Sequence, residues 1–400
     1  MKSLKLYAPV AILALGLSVL SSCSKQQDDL TNLPVERKDN TQAQRIDAAT
    51  ITSDMVLADR VNGVDYIITS DVQVNANLTI KPGVTVMFAE GAGLQVNEQG
   101  SITAIGAQSN EVLFTSETGK RGSWKGITIL SNSGRNVLSF CKIEQGGGNG
   151  QGNVVVGSAT TAAQVEISNS SISTSNKDGI VINEGSKVLN FNGNKIFTNS
   201  GFPVSMHISD AVNMENGNTY SNNGKEFIKV SGEVVNKPIT LKKLNESFLI
   251  SGQITATKGF TISAGSRIYM DNDVEVVIDG TNNDAFFNAV GTQAQPITLS
   301  AIYNGTGVWT SIKFRNTNSN NNQIEYCTIS GGGMTTVGAE GMVSVTNTNG
   351  GSSNIVIRHS SIMNSAATGI YIQSANSEYN SDIINSNTFV NCAKGDVHIE

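Results

Sequence analysis

Short runs of apolar residues, many of them alternating with polar ones, recur along most of this chain. Examples are 153-NVVV-156 and 179-GIVIN-183, which Gly, Asn and Ser residues separate from the next run. Alternation with a period of two indicates β-strands with one buried face, and no stretch of ten or more residues follows the 3.6-residue period of an amphipathic helix. The pattern therefore predicts an all-β protein made of many short strands.

A unit of 24 to 27 residues repeats within this pattern. It has two apolar residues two positions apart, then a polar corner, then a third apolar residue. The instances are Leu138, Phe140 and Ile143; Val165, Ile167 and Ile172; Leu189, Phe191 and Ile196; Ile324, Tyr326 and Ile329; and Ile355, Ile357 and Ile362. A fixed period in the twenties marks a solenoid, and strands joined by polar corners favour a parallel β-helix over α-solenoids and leucine-rich repeats. We expect these apolar residues to face inward in about fourteen coils, stacked ~4.8 Å apart as a rod of ~65 Å.

A second, much longer repeat relates the two halves of the chain. The only two tryptophans, Trp124 and Trp309, lie 185 residues apart in similar surroundings, and Cys141 and Cys327 lie 186 residues apart. Further pairs in the same order are 78-LTIKPG-83 with 260-FTISAG-265, and 170-SSISTSNKDGIVI-182 with 360-SSIMNSAATGIYI-372. Because the order is kept and the offset drifts slowly, the second half is predicted to be an internal copy of the first.

The N-terminus carries the pattern of an export signal. Lys2 and Lys5 precede the apolar run 8-APVAILALGLSVL-20, which is shorter than the ~20 residues that cross a bilayer, and the run ends in 20-LSSC-23. This order of charge, apolar core, small residues and cysteine resembles the lipobox of bacterial lipoproteins. The resemblance implies that Cys23 is acylated, becomes the mature N-terminus and anchors the protein to a membrane.

The polar residues after the cysteine lack a clear period and are predicted to form a tether. Within them, 24-SKQQDD-29 resembles the acidic export signals of some Gram-negative lipoproteins. This resemblance implies an outer-membrane location with the chain facing outward, and the periplasmic face stays open as an alternative. The predicted segments are a signal peptide at 1–22, a lipidated N-terminus and flexible tether at 23–56, a first β-helix copy at 57–235 and a second at 236–400.

The amino-acid composition limits the classes of ligand that this protein is expected to bind. Of the 400 residues, 15% are charged, 40 are Gly and 6 are Pro, and the net charge is -6. Gly and Asn suit the tight turns that many short strands require, whereas a basic stripe for nucleic acid is missing. The cysteines after Cys23, which are Cys141, Cys327 and Cys392, show no CxxC or His-flanked spacing, so they do not predict a metal site.

The repeated unit and the segment 217–265 resemble right-handed parallel β-helix proteins with a pectin-lyase-like fold, in particular the β-helix repeat surface lipoproteins of Gram-negative bacteria. The resemblance covers roughly residues 60–400 and implies a right-handed, internally duplicated solenoid. Some members of the fold family cleave polysaccharides, but the Asp and Arg constellations of those enzymes are not found in this sequence. We therefore expect a non-catalytic module for binding, adhesion or spacing, which would bind extended glycans or other envelope proteins. A polysaccharide lyase or glycoside hydrolase is the alternative.

Two groups of residues are candidates for ligand contact. Trp124 and Trp309 would either pack at corners of the scaffold or stack on sugar rings, and their recurrence with the scaffold favours packing. Asp273, Glu275 and Asp279 are expected to point outward along one strand, either as a solvated acidic face or as a weak Ca²⁺ site of hard oxygen ligands. No other cofactor is expected.

Overall fold

The computed structural model describes residues 42–60, 63–281 and 284–400. In these residues the chain forms 41 short strands and two single turns of 3₁₀ helix, Ala211–Asn213 and Thr335–Val337. All strand pairs are parallel, as the period-two alternation and the coil-length repeat predict.

The strands of the first part of the chain are β1 (Gln44–Ile46), β2 (Thr50–Ile51), β3 (Met55–Leu57), β4 (Tyr66–Ile68), β5 (Val72–Val74), β6 (Asn77–Ile80), β7 (Thr85–Phe88), β8 (Leu94–Val96), β9 (Ser101–Ile105), β10 (Val112–Ser116), β11 (Ile127–Ile129), β12 (Val137–Ser139), β13 (Cys141–Glu144), β14 (Gly152–Val156), β15 (Gln164–Ser168), β16 (Ser171–Ser173), β17 (Asp178–Ile182), β18 (Lys187–Asn192), β19 (Lys195–Phe197), β20 (Val204–His207) and β21 (Thr219–Ser221).

Those of the second part are β22 (Ile228–Ser231), β23 (Val234–Val235), β24 (Ile239–Leu241), β25 (Phe248–Ser251), β26 (Ile254–Ala256), β27 (Gly259–Ile262), β28 (Arg267–Met270), β29 (Glu275–Asp279), β30 (Phe286–Val290), β31 (Ile297–Ala301), β32 (Ser311–Arg315), β33 (Gln323–Glu325), β34 (Cys327–Ser330), β35 (Gly341–Thr346), β36 (Ser353–Arg358), β37 (Ser361–Ser365), β38 (Thr368–Ile372), β39 (Ser377–Tyr379), β40 (Thr388–Cys392) and β41 (Val397–Ile399).

These strands stack into five long parallel sheets. In the order of the stack, sheet 1 is β1-β4-β7-β10-β13-β16-β19-β21, sheet 2 is β2-β5-β8-β11-β14-β17-β20-β22-β25-β28-β31-β34-β37-β40, sheet 3 is β3-β6-β9-β12-β15-β18, sheet 4 is β23-β26-β29-β32-β35-β38-β41 and sheet 5 is β24-β27-β30-β33-β36-β39. Each coil contributes one strand to each of three sheets, so the fold is a parallel β-helix, as the sequence predicts. Sheet 2 has 14 strands, one from each coil, so the described residues form 14 coils, which agrees with the predicted number. The right-handed sense of the coil stays a prediction.

Inward side chains of successive coils form ladders in the core. Ile127, for example, lies in register between Leu94 of the preceding coil and Val154 of the next, and all three are buried. Full burial of one such side chain contributes ~1.5–3 kcal/mol. Because each coil also hydrogen-bonds to the coils on either side, backbone groups within the stack are satisfied without helices.

The two sequence copies do not use the same three sheets. Coils of the first half run through sheets 1, 2 and 3, whereas coils of the second half run through sheets 2, 4 and 5. Thus β11, which follows Trp124, lies in sheet 2, but its equivalent β32, which follows Trp309, lies in sheet 4. At the junction, the 3₁₀ turn Ala211–Asn213 takes the place of the sheet 3 strand that would follow β20. From β22 onward, each strand of the second copy lies one sheet further along the coil than its equivalent in the first copy.

The predicted segment boundaries need correction. Strands β1 and β2 and the first two residues of β3 lie inside the range 23–56 that was predicted as a tether, and these strands already pair with the coil that follows. Their runs of two or three residues carry one inward side chain each, which is too sparse to show a period. By strand order, the second copy begins with β22, ahead of the predicted boundary at 236. The predicted signal peptide and Cys23 lie outside the described residues.

Three residues that were predicted to face inward do not. Leu189 is 43% exposed, because the pairing of β15 and β18 is irregular there and a left-handed residue, Asn190, follows. Phe140 and Tyr326 lie at corners with φ of 51° and 50°, outside the hydrophobic core. The inward positions next to these two corners belong to Cys141 and Cys327 instead.

Asparagine at corners behaves as its chemistry predicts. Among the described residues, eight of the fifteen non-glycine residues with positive φ are Asn, the residue type that tolerates the left-handed conformation best after glycine. Other buried asparagines bond along the stack. The Asn194 amide donates to Asn218 Oδ1 at 2.9 Å, and the Asn199 amide donates to Asn223 Oδ1 at 3.0 Å. These ladders hold successive corners in register.

Candidate functional site

The outward face of sheet 2 carries one side chain per coil in a continuous register. The column is Thr50, Gln73, Gln95, Thr128, Val155, Val181, Ser205, Lys229, Leu249, Tyr269, Ser300, Ser330, Met363 and Val390. Adjacent members lie one strand spacing, ~4.8 Å, apart. The face is polar at its first coils and mixed further on, where Val155 and Leu249 are buried and Ser300 and Ser330 are followed by Met363 and Val390.

A groove lies on the middle of this face. Asp178 at the start of β17 accepts a hydrogen bond from Ser205 Oγ at 2.5 Å and another from the Phe202 amide at 2.8 Å. The ammonium of Lys229, in register beside Ser205, lies 5.6 Å from the centre of the Phe202 ring. Lys177 also lines the groove. The groove thus offers an aromatic face, a carboxylate held in place by two donors, and two cations.

The far side of the groove ends at a group of titratable side chains near the junction. His207 Nδ1 lies 3.7 Å from Glu233 Oε2, too far for a hydrogen bond, and this nitrogen is buried without a partner. Glu233 instead accepts from the Ser209 amide at 2.8 Å. Burial raises the pKa of nearby Asp210, with Glu233 adding to the rise, and Lys237 and His207 oppose it. Asp210 directly precedes the 3₁₀ turn Ala211–Asn213, and its Oδ2 is also buried without a hydrogen-bond partner.

The first coils of sheet 2 form a second, more polar groove. Gln73, Gln95 and Thr128 stand in register, and the Lys125 ammonium forms an ion pair with Asp71 beside them. Gln95 donates to Asn97 at 2.7 Å. These amides and hydroxyls can donate to and accept from the hydroxyl groups of a ligand lying along the stack.

Two glutamates occupy the same corner position in successive coils. Ile228 pairs with Phe248, so Glu226 and Glu246, each two residues earlier, lie one above the other. Burial raises the pKa of Glu246, as does Glu226, while Arg267 lowers it. The Tyr220 hydroxyl nearby is buried without a hydrogen-bond partner, and burial and Glu246 raise its pKa. A carboxyl with a raised pKa therefore stands here beside a second carboxylate in the next coil, as Asp210 does beside Glu233.

The tryptophans are not available to a ligand, so the sugar-stacking alternative for them is wrong. Both indoles are 0% exposed. Trp124 Nε1 donates to the Glu144 carbonyl at 2.8 Å, and Trp309 Nε1 donates to the Ser330 carbonyl at 2.9 Å. Their recurrence reflects one scaffold position seen twice. The indole is large enough to fill the corner between two coils, and its N–H satisfies a carbonyl there.

The acidic strand β29 forms ion pairs across the coil boundary. Glu275 lies 2.8 Å from Lys313 Nζ, and Asp279 lies 2.7 Å from Arg315 Nη2. Burial alone would raise the pKa of Asp279, but hydrogen bonds from Arg315 and Thr281 lower it below its usual range. Asp273 sits apart at a turn with φ 61°. The three predicted calcium ligands therefore do not converge, and two of them already have cationic partners.

In the described ranges, the side chains do not assemble a site for metal binding or for thiol chemistry. No group of three or more His, Cys, Asp or Glu side chains in them is placed to hold a metal ion. Cys141 and Cys327 occupy equivalent inward positions, where burial raises the pKa of both thiols, that of Cys327 to about 12. No helix within residues 42–60, 63–281 and 284–400 is long and apolar enough to span a membrane.

Sequence reasoning missed the groove residues because each one looks ordinary in its own segment. Asp178 and Phe202 lie 24 residues apart, as do Ser205 and Lys229, which is one coil length. A search for polar and aromatic residues that recur outward at the coil period would have found them. Comparison with protein-family models, with curated proteins and with solved structures finds no match.

Proposed function

We propose that this protein is a non-catalytic binding module for extended glycans, and that the ligand lies along the outward face of sheet 2. The observation that carries the proposal is the continuous column on that face, with a groove floored by Phe202 and flanked by Asp178 and Lys229. A polymer with a regular repeat matches a surface that repeats every ~4.8 Å. Aromatic and hydrogen-bonding groups together suit sugar rings.

An array of neutral and acidic glycans, probed with the full chain in detergent, tests this function. We expect binding without cleavage, and Lys229→Met should weaken it at least tenfold because the cation and its contact with Phe202 are lost. Lys187→Met on sheet 3 is the matched control, since Lys187 is exposed and lies away from the grooves, and it should leave the affinity unchanged. Absence of binding to every glycan contradicts the proposal.

The proposed location rests on the N-terminal sequence. Acylation of Cys23 would anchor the β-helix to the outer membrane, with 24-SKQQDD-29 directing it outward. Cys23→Ala should move the protein from the membrane fraction to the soluble fraction. Antibody labelling of intact cells then separates an outward-facing protein from a periplasmic one. An unchanged membrane fraction contradicts the anchoring.

A polysaccharide-cleaving enzyme is the second candidate, and the stacked Glu226 and Glu246 favour it. Coils ~4.8 Å apart place two carboxyl groups near the ~5–5.5 Å separation of retaining glycosidases, in which the acid has a raised pKa. Incubation with uronic-acid and neutral polysaccharides should then release new reducing ends. Glu246→Gln should abolish the release while leaving glycan binding intact. A wild-type protein that releases no product excludes this candidate for the substrates used.

A further inference from the structure

Phe140 stands at a corner of the first copy where its ring cannot join the core. It links β12 of sheet 3 to β13 of sheet 1 with φ 51°, and its half-buried ring lies outside the hydrophobic core. The corner itself is firmly held, because the Val112 amide donates to the Phe140 carbonyl at 3.0 Å and the Gly106 amide donates to the Ser139 carbonyl at 2.8 Å. The ring is therefore presented on a rigid support.

The second copy builds the same corner around Tyr326. Its φ is 50°, the Ile297 amide donates to its carbonyl at 3.0 Å, and the Gly291 amide donates to the Glu325 carbonyl at 2.8 Å. The adjoining turns are alike as well, each closed by an antiparallel bridge. These bridges are Ala107 with Asn110 and Thr292 with Gln295. Two copies of the chain thus place an aromatic ring on the same support.

An aromatic residue is a poor choice for this backbone conformation. The next coils of the first copy place Asn169 and Gly193 at the same corner, with φ of 51° and 67°. Asn and Gly enter the left-handed region readily, whereas bulky residues seldom do. Neither ring is buried in the core, so core packing does not offset the unfavourable backbone conformation. The presence of an aromatic ring in both copies therefore points to a role at the surface.

The surroundings of Phe140 fit a sugar ring. A depression of about 420 Å³ beside it is lined by Gln108, Glu111, Asn169 and Lys195, within the ~300–1,000 Å³ range of small-ligand sites. The apolar face of a pyranose can lie on the phenyl ring while its hydroxyl groups reach the amide, carboxylate and ammonium groups at the rim. A pocket with only apolar walls would not offer these hydrogen bonds.

The second corner keeps the ring and a glutamine of the adjoining turn, but not the carboxylate of Glu111. The turn beside Tyr326 carries Gln293 where the first copy has Gln108, and Pro296 where it has Glu111. His359 takes the place of Asn169 and stacks on Tyr326 with ring centres 4.9 Å apart. The features common to both corners are therefore an aromatic ring and a glutamine side chain in the adjoining turn. These suit an uncharged sugar.

We propose that Phe140 and Tyr326 are the floors of two equivalent subsites, each for one neutral hexopyranose residue. The proposal rests on the glycan-binding function and adds two contact points outside the sheet 2 groove. Because the strand roles advance by one sheet between the copies, the first subsite borders sheet 1 and the second borders sheet 2. Two subsites on one rigid rod can bind a long glycan with higher affinity than either binds alone.

Glycine substitution separates binding from folding, because glycine adopts the corner conformation without strain. Phe140→Gly, Tyr326→Gly and the double variant are made in the full chain and titrated calorimetrically with hexasaccharides of glucose, mannose and N-acetylglucosamine. Each single variant should lose about half of the bound sugar or more, and the double variant should bind at least tenfold more weakly, with urea midpoints equal to or above that of the wild type. Thr174→Gly is the control, since it makes the same backbone change at another corner.

The outcomes distinguish this proposal from the proposed function. Wild-type affinity in the double variant, or a loss of binding that accompanies a lower urea midpoint, overturns the corner subsites. Binding that survives in the double variant but is lost in Lys229→Met leaves the sheet 2 function standing alone. Binding restricted to acidic glycans also overturns the corner subsites. A wild-type protein that binds no glycan contradicts both proposals.

Discussion

Trp124 stacks on Phe88 of the preceding coil, with ring centres 4.0 Å apart and planes 14° from parallel. Both side chains are completely buried, and the indole N–H reaches the Glu144 carbonyl of the following coil. One side chain therefore joins three successive coils. The equivalent Trp309 bonds the Ser330 carbonyl in the same way, and Met270 takes the place of Phe88.

Truncation of this tryptophan should be among the most destabilising changes in the first copy. Trp124→Ala removes a fully buried indole and leaves a carbonyl without its donor, so we expect the free energy of unfolding to fall by about 3–5 kcal/mol. Urea unfolding followed by far-UV circular dichroism measures it. Trp124→Phe should recover most of the loss by restoring the contact with Phe88. A change below about 1 kcal/mol contradicts the linking role.

The glycine beneath the second indole should not tolerate a side chain. A Cβ on Gly332 would lie 2.6 Å from Trp309 Cε2 and 2.9 Å from Met342 Cγ, both of which are buried. Because neither neighbour can move far, Gly332→Ala should lower the free energy of unfolding by about 1–3 kcal/mol. The exposed Gly338→Ala is less suitable as a control, since its φ is 82°, whereas Gly134 has a negative φ and no neighbour within 4 Å of a Cβ. Gly134→Ala should therefore be close to neutral in the same urea measurement.

A corner threonine offers a stabilising substitution. Thr198 has φ 53°, which is unfavourable for a β-branched residue, and its hydroxyl is buried without a partner. The next coil has Asn222 at this corner with φ 55°. Thr198→Asn should raise the free energy of unfolding by about 1 kcal/mol, and Asn222→Thr should lower it by a similar amount. Equal urea midpoints for the two variants contradict the backbone explanation.

Asp210 should make stability depend on pH with the sign opposite to that of most carboxylates. Burial raises its folded-state pKa above the ~3.9 of the unfolded chain, so its contribution is complete below pH ~4 and is lost as the pH rises through the folded value. Asp210→Asn removes this titration. The variant should therefore gain stability relative to wild type between pH 4 and pH 7 in urea unfolding.

Asp382 provides the opposite control for that experiment. A hydrogen bond from Asn380 holds the pKa of its carboxyl below the usual range, so its contribution is present at neutral pH and is lost as the pH falls. Asp382→Asn should be less stable than wild type at pH 7, and this difference should shrink as the pH falls below ~4, the pKa of the unfolded carboxyl. The same pH trend in both variants is incompatible with the assigned causes.

Several elements were predictable because their determinants are local. The inward direction of Ile167, Ile172 and Ile357 follows from period-two alternation, and the burial of each confirms it. The parallel β-helix and its 14 coils follow from the coil-length period. Phe140 and Tyr326 show where this reasoning stops. Their spacing matches the inward pattern, but the chain turns at these two residues themselves. The residue after each of them therefore faces inward instead.

The sequence by itself determined that strands with one buried face repeat at a coil period and that the chain carries two copies of them, because alternation and turn chemistry act within a few residues. Only the tertiary structure decided which side chains become neighbours. Residues that meet in the groove lie one coil apart along the chain. Which residues meet therefore depends on the number of residues in that coil. The first copy begins with β1 in sheet 1 and the second begins with β22 in sheet 2, and this difference assigns equivalent residues of the two copies to different sheets.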